Sequence, residues 1–256
     1  MEDLTKESFD AIVFDGEGTL SSALPWQHLA QKKGVLLEVN NYLSLLSQGE
    51  VDSVELFDKL FKLLSPSLNE SLELGRLCAE RLVQDAKGLL HLFQSLGKQV
   101  FLLTQLPEAS SVEFAQALGL AENKVFGIQL FYNSDGTYKD FDRHSLLVQQ
   151  QGKLRVINHL KKSYKRLVYI GDGVDDLMLL NSVERFVGFG GLLCSETVAK
   201  EADFYLRCPT LAPLIYLCLT SSERGKLGNS QQSTLCQAAL NEFTHKRITL
   251  SQKISV

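Results

Sequence analysis

The sequence has no pair of cysteines in a Cys-x-x-Cys spacing: its five, Cys78, Cys194, Cys208, Cys218 and Cys236, are odd in number and scattered. That pattern argues against a disulfide framework and against a zinc site, and leaves buried, reduced thiols as the expectation. The five histidines (His28, His91, His144, His159, His245) form no ligand spacing either. No dense run of lysine or arginine occurs and the formal net charge is −4, so nothing attracts the chain to nucleic acid or to an anionic membrane surface. No apolar run approaches membrane-spanning length, and the acidic opening MEDLTKESFD lacks the basic and apolar regions of a signal peptide. A cytoplasmic protein is expected.

What the chain does have is material for a core. Of its 256 residues 45% are hydrophobic and 22% charged, enough for one large domain or two modest ones. Short apolar runs alternate with stretches of helical periodicity, the pattern of an α/β fold with a mostly parallel sheet. AIVF, QVFLL, RLVYI and RFVGF are rich in β-branched or aromatic residues and end at polar or small ones, as strands buried on both faces do. Between the first two, LFDKLFKLL and LELGRLCAERLV carry apolar residues at three-to-four spacing. This stretch is too long for one crossover helix and predicts an all-helical cap inserted after the first strand. The expected organisation is a Rossmann-like, doubly wound core at 1–20 and 86–220, a helical cap at 21–85 and a polar C-terminal tail at 221–256. FYNSDGTYKDF reads as a β-hairpin turning at Asp135-Gly136. The tail carries Arg224, Lys226, Lys246, Arg247 and Lys253 against Glu223 and Glu242, five minus two or +3. It is expected to be flexible or loosely docked, with an interaction element as the alternative.

One stretch, IVFDGEGTLS, ends an apolar run on Asp15 and sets Glu17 between two glycines. A carboxylate at the C-terminal end of the first parallel strand sits at the edge where open α/β sheets bind ligands. Thr104 follows VFLL, Asp172 follows LVYIG, GDGVDD puts Asp175 and Asp176 within one turn of Asp172, and Lys153 opens the helix KLRVINHLKK. Several acids, a hydroxyl and one lysine at one sheet edge are electrostatically costly unless a cation is present. Carboxylates are the preferred ligands of a hard divalent ion such as Mg²⁺. With Mg²⁺ and Lys153 in place a phosphoryl group is attracted, and Asp15 becomes a plausible nucleophile. Taken singly, several of these residues have plainer readings. Asp15 and Glu17 serve as turn acids, GDGVDD as a turn leading into a helix, and Lys153 as an exposed helix lysine. Asp175 stands between a supporting acid and a helix start.

Together, FDGEGTL, the strand ending in Thr104, Lys153 and GDGVDD stand in the order and spacing of the four motifs of the haloacid dehalogenase superfamily. The resemblance covers most of residues 10–220. A helical cap between the first and second motifs, and an SDGTY hairpin before the lysine, make the chain look like the phosphoserine-phosphatase-like branch. The resemblance implies a Mg²⁺-dependent phosphatase that hydrolyses a small phosphorylated metabolite through an aspartyl phosphate. It matches Asp15 to the nucleophile, Glu17 to the acid/base position, Thr104 to the phosphoryl-binding hydroxyl and Lys153 to the charge-neutralising lysine. Asp172 matches a metal ligand beside Asp15, Asp176 the acid that completes the metal motif, and the backbone carbonyl of Glu17 the further protein ligand.

Three departures accompany these matches. Glu17 stands where the family mostly has Asp, one methylene longer, which predicts a low or substrate-selective rate. Leu24 stands where serine-specific relatives carry a glutamate that holds the substrate ammonium, so phosphoserine is a poor substrate expectation. The second motif reads TQL rather than an SGG-like run, so its phosphate-facing backbone is less open than glycine would make it, and Gln105 is a candidate substrate contact. The apolar ALPWQHL favours a less polar substrate group near Leu24 and Trp26, although Trp26 also reads as cap packing. Two alternatives stand beside the phosphatase: a binding protein on the same fold whose turnover Glu17 has ended, and a phosphotransferase or mutase.

Overall fold

The computed structural model describes residues 4–48, 53–227 and 231–250. In chain order, β1 (Ala11–Asp15) is followed by α1 (Pro25–Lys33), α2 (Leu36–Gln48), α3 (Ser53–Leu64) and α4 (Leu68–Glu80). Then come α5 (Ala86–Ser95), β2 (Gln99–Pro107), α6 (Glu108–Leu118), β3 (Val125–Ile128) and a hairpin of β4 (Leu130–Tyr132) and β5 (Tyr138–Phe141). The chain continues through α7 (Gly152–Leu160), β6 (Leu167–Gly171), β7 (Arg185–Phe189), α8 (Glu196–Glu201), β8 (Phe204–Leu206) and α9 (Leu214–Cys218). It closes with α10 (Ser221–Arg224), α11 (Gln231–Thr244) and β9 (Ile248–Leu250).

The large sheet has the order β3-β2-β1-β6-β7-β8-β9. Every neighbouring pair is parallel except the last, where β9 runs antiparallel to β8. β1 and β6 are buried at every position, because helices cover both faces, and this explains why their sequences run as unbroken apolar stretches. The chain winds outward from β1 through β2 to β3, then returns to β6 and winds the other way. The carboxyl ends of β1 and β6 therefore form the switch point, where open sheets leave a crevice. β3 and β8 lie outside the strands read from sequence; at four and three residues they are too short for a periodic signal.

The stretch between β1 and α5 is helical, as expected. Ser67 caps α4: its Oγ accepts from Glu70 N at 3.2 Å, and the Glu70 carboxylate accepts from Ser67 N at 2.8 Å, satisfying two otherwise orphaned donors. α3 buries Leu56, Phe57, Leu60, Phe61 and Leu64, an apolar stripe of helical period. The β4–β5 hairpin forms where read and packs on these helices. Phe61 meets Phe141 edge-on at 5.1 Å between ring centroids, Tyr132 donates to Ser71 Oγ at 2.9 Å, and Arg143 bridges Asp58 and Asp140 at 2.6 Å each. The helices at 21–85 are thus joined by a β-ribbon supplied from outside that stretch.

The C-terminal stretch corrects an expectation. It is not loosely docked among its described residues: α11 buries Leu235 and Ala239, Phe243 packs edge-on against Tyr216 at 5.7 Å, and β9 extends the sheet. Few apolar residues suffice here because β8 offers a ready row of backbone partners. The stretch is anchored at the amino-terminal edge of the sheet as well. Buried Lys98 places Nζ 2.5 Å from Glu223 and donates to Ser8 Oγ at 2.7 Å and to the Phe9 carbonyl at 2.8 Å. The five cysteines are all free thiols; Cys78, Cys208 and Cys218 are buried as expected, but Cys194 is exposed and Cys236 only partly covered. Among the described residues no helix is long and apolar enough to cross a membrane.

Candidate active site

The turn after β1 is built to bring strand ends close. Asp15, the last residue of β1, is 5% exposed. Gly16 folds the chain back, its carbonyl accepting from Leu20 N at 2.8 Å and Ser21 N at 3.1 Å. Gly18 has φ +80°, and a Cβ there would lie 2.1 Å from Asp172 Oδ2. Only glycine meets both demands, so the glycines around Glu17 are what let the end of β1 approach the end of β6. Thr19 Oγ1 then donates to Asp172 Oδ1 at 3.4 Å.

Lys153, in the first turn of α7, is buried and not the exposed helix lysine of the plainer reading. Its Nζ lies 3.0 Å from Asp15 Oδ1, 3.0 Å from Asp175 Oδ2 and 2.6 Å from Asp176 Oδ1. Asp176 is fully buried and also accepts from the Tyr169 hydroxyl at 2.7 Å and from Gly173 N at 3.1 Å. Carboxylate oxygens of Asp15, Asp172 and Asp176 all lie within 4.8 Å of one another. One ammonium thus faces several acids. Burial raises the Asp15 carboxyl well above the usual carboxylate range, with Lys153 opposing and Asp176 and Asp172 adding to it. Burial, then the charge of Asp176, pushes Asp172 up to about 7. Burial alone would lower Lys153, but the carboxylates of Asp15, Asp175 and Asp176 outweigh it and hold the ammonium raised well above its ordinary value. Burial thus drives the two aspartate shifts, with neighbouring acids adding to it, whereas the surrounding carboxylates decide that of Lys153.

Glu17 points elsewhere. Both its carboxylate oxygens accept from Thr104 Oγ1, at 2.8 and 3.0 Å, and Thr104 itself accepts from Leu106 N at 3.1 Å. A hydroxyl has one proton, so the Thr104 proton is committed to Glu17. Burial raises the Glu17 carboxyl, and the Thr104 hydrogen bond opposes it. Gln105 lines the acidic cavity of about 180 Å³ together with Asp15, Glu17, Lys153 and Asp172. Gln105 and Glu17 also border a smaller cavity of about 140 Å³ walled by Leu24, Trp26, Leu43 and Phe57. Leu24 is exposed at its rim, whereas Trp26 is 6% exposed and packs on Phe61 at 5.9 Å, so most of its surface serves packing.

Residues 9–183 match the family described as haloacid dehalogenase-like hydrolase. The chain belongs to the haloacid dehalogenase-like hydrolases. This hydrolase is 28% identical to a phosphoserine phosphatase of Bos taurus over 204 residues, covering 78% of the chain and 89% of the relative. Among solved structures it is similar to a phosphoserine phosphohydrolase-like protein from Francisella tularensis, with TM-score 0.70 and 22% identity over 82% of this chain and 100% of that one. It is also similar to a solved structure of the phospho-aspartyl intermediate analogue of phosphoserine phosphatase, with TM-score 0.66 and 16% identity over 82% and 98% of the two chains. The structural likenesses speak for the fold: a mostly parallel sheet between helices.

In this hydrolase the carboxylates of Asp15, Asp172 and Asp176 suit a hard divalent cation, being clustered oxygen donors of which Asp15 and Asp176 are buried and Asp172 is partly exposed. Two groups escaped the sequence reading. Tyr169 sits inside an apolar strand, where only the rule that a buried phenol finds a partner would have flagged it. Thr19 is four residues past Asp15 in the same turn, and its hydroxyl reaches Asp172 only because Gly18 lets the strands close.

Proposed function

We propose that this hydrolase is a Mg²⁺-dependent phosphomonoesterase acting in the cytoplasm on a small phosphorylated metabolite through an aspartyl phosphate at Asp15. The reading rests above all on one observation: Asp15, at the end of β1, shares a cavity with Lys153 and Asp172, its carboxylate 3.0 Å from the lysine. Asp15, Asp172, Asp176 and the Glu17 carbonyl would hold Mg²⁺, which would supply charge neutralisation at the phosphoryl oxygens. Asp15 attacks phosphorus and the ester oxygen departs, taking a proton from Glu17. Glu17 then takes a proton from the water that attacks the acyl phosphate, returning Asp15 and releasing phosphate. A carboxyl raised by burial suits the donor half of that task. Lys153 neutralises Asp15 and the incoming phosphoryl oxygens, and Asp176 and Asp175 keep the ammonium in place. The helices at 21–85 act as a cap over a core of 1–20 and 86–220, excluding bulk water on closure.

Substrate choice departs from the bovine relative's name. Leu24 offers no charge for a substrate ammonium, and the wall of Leu24, Trp26 and Phe57 favours an uncharged group beside Gln105. The test is hydrolysis of p-nitrophenyl phosphate and of a panel of phosphorylated metabolites, with Mg²⁺ or EDTA. Turnover that needs Mg²⁺ and is lost in Asp15→Asn supports the reading; turnover that survives either change rejects it. One observation favours a second reading, a phosphate-binding protein without turnover: the Thr104 proton is already given to Glu17. No hydrolysis in the wild type, with turnover appearing in Glu17→Asp, would select it.

A further inference from the structure

Beside the acidic cavity lies another of about 220 Å³ that shares Gln105, Lys153 and Asp175 with it. Its charged members are paired to each other, Lys153 with Asp175 at 3.0 Å. The rest of its described polar wall is neutral: Ser53, Gln105, Gln149, Gln150 and Gln151, facing apolar Phe57, Leu147 and Met178. The Gln149 amide donates one hydrogen bond to the Arg143 carbonyl at 2.5 Å. The side chains of Gln150 and Gln151 are exposed at this cavity and that of Gln105 is partly exposed, so their amides are open to a ligand rather than tied into the protein. Gln151 also has φ +58°, the left-handed region that glycine occupies without strain. A glutamine kept there, at the mouth of a cavity, holds an amide where the backbone alone would favour none.

We propose that this amide-lined cavity is the specificity pocket, and that the substrate is the phosphate monoester of a neutral, hydroxyl-bearing alcohol of the polyol or sugar kind. The inference rests on the phosphomonoesterase reading above. Each amide both donates and accepts, the complement of a hydroxyl, while Phe57, Leu147 and Met178 take the carbon face of such a chain or ring. A second carboxylate or an ammonium on the substrate would find no unpaired opposite charge there, because Lys153 and Asp175 are already paired. Gln105, common to this cavity and the acidic one, orients the ester between them.

The experiment compares kcat/KM in Mg²⁺ for sorbitol 6-phosphate, O-phosphoserine and p-nitrophenyl phosphate in the wild type, Gln150→Leu and Gln151→Gly. The expected result is a preference for sorbitol 6-phosphate over O-phosphoserine of about tenfold or more, since a site built for hydroxyls discriminates strongly. In both variants the ratio of sorbitol 6-phosphate to p-nitrophenyl phosphate kcat/KM falls by about fivefold or more, through KM. Gln151→Gly also raises Tm by relieving the left-handed backbone, so its loss of selectivity cannot be misfolding. A preference for O-phosphoserine, or an unchanged ratio in both variants, overturns the proposal. If no ester is hydrolysed the phosphatase reading fails, and the pocket is judged by calorimetric titration with sorbitol 6-phosphate. Binding weakened in Gln150→Leu then supports the pocket, and no binding, or equal binding by both proteins, overturns it.

Discussion

Shortening Glu17 by one methylene, Glu17→Asp, tests how this site differs from its relatives. The Glu17 carboxylate sits 2.8 and 3.0 Å from Thr104 Oγ1, and removing one carbon–carbon bond withdraws it by about 1.5 Å, past hydrogen-bonding range. A hydrogen bond to a charged acceptor contributes roughly 1.5–3 kcal/mol. The variant should therefore be less stable to urea by about 1–2 kcal/mol, since Thr104 keeps its bond from Leu106 N. The freed hydroxyl becomes available to a phosphoryl group. Inorganic phosphate should accordingly inhibit the variant about tenfold more tightly, the equivalent of about 1.4 kcal/mol. With the carboxyl at the reach the family's aspartate has, kcat should rise by about ten- to a hundredfold. Steady-state hydrolysis of p-nitrophenyl phosphate, phosphate inhibition and urea unfolding read all three. If phosphate binds no tighter and stability is unchanged, Glu17 and phosphate do not compete for Thr104. If kcat falls as far as in Glu17→Ala, the chain is adapted to the longer acid.

Three further outcomes are expected. Asp172 is pushed up to about 7 by burial and by Asp176; a carboxyl raised in the folded state costs stability as pH climbs from its ordinary value towards 7. Mg²⁺ should therefore raise Tm more at pH 8 than at pH 5, and hardly at all in Asp172→Asn; equal shifts at both pH values would contradict the metal site. Glu223 is held down to about 2: burial opposes, but hydrogen bonds from Lys98 and Ser8 prevail. A depressed carboxyl stabilises above its ordinary value and loses that contribution as pH falls towards 2, so Glu223→Gln should cost about 3 kcal/mol at pH 7 and progressively less below pH 4 by urea unfolding. A cost that does not change with pH would show that packing, not charge, is lost. Leu24→Glu should raise kcat/KM for O-phosphoserine at least about tenfold by supplying a partner for the ammonium; no gain would show that position 24 does not face the substrate.

The buried heart of the fold was legible because β1, β2, β6 and β7 are covered on both faces and so read as continuous apolar runs. β3, β8 and β9 are short edge or near-edge strands whose place is decided by the partner they pair with. The same contrast separates the site residues. Asp15, Lys153, Asp172 and Asp176 could be read as one group because strand order puts their positions at one sheet edge, and the structure brings them together. The bond from Thr104 to Glu17 could not, since it depends on how far one side chain reaches across the turn. Tyr169 was hidden in a strand whose neighbours are all apolar, and the docking of α11 and β9 depended on a distant strand edge.

The most direct test of the account is to quench the protein in acid during turnover of a radiolabelled phosphoester in Mg²⁺ and to map the label. Acyl phosphate is expected on the peptide that contains Asp15, absent in Asp15→Asn along with turnover. Hydrolysis that continues in Asp15→Asn, or label that maps to another residue, would contradict it.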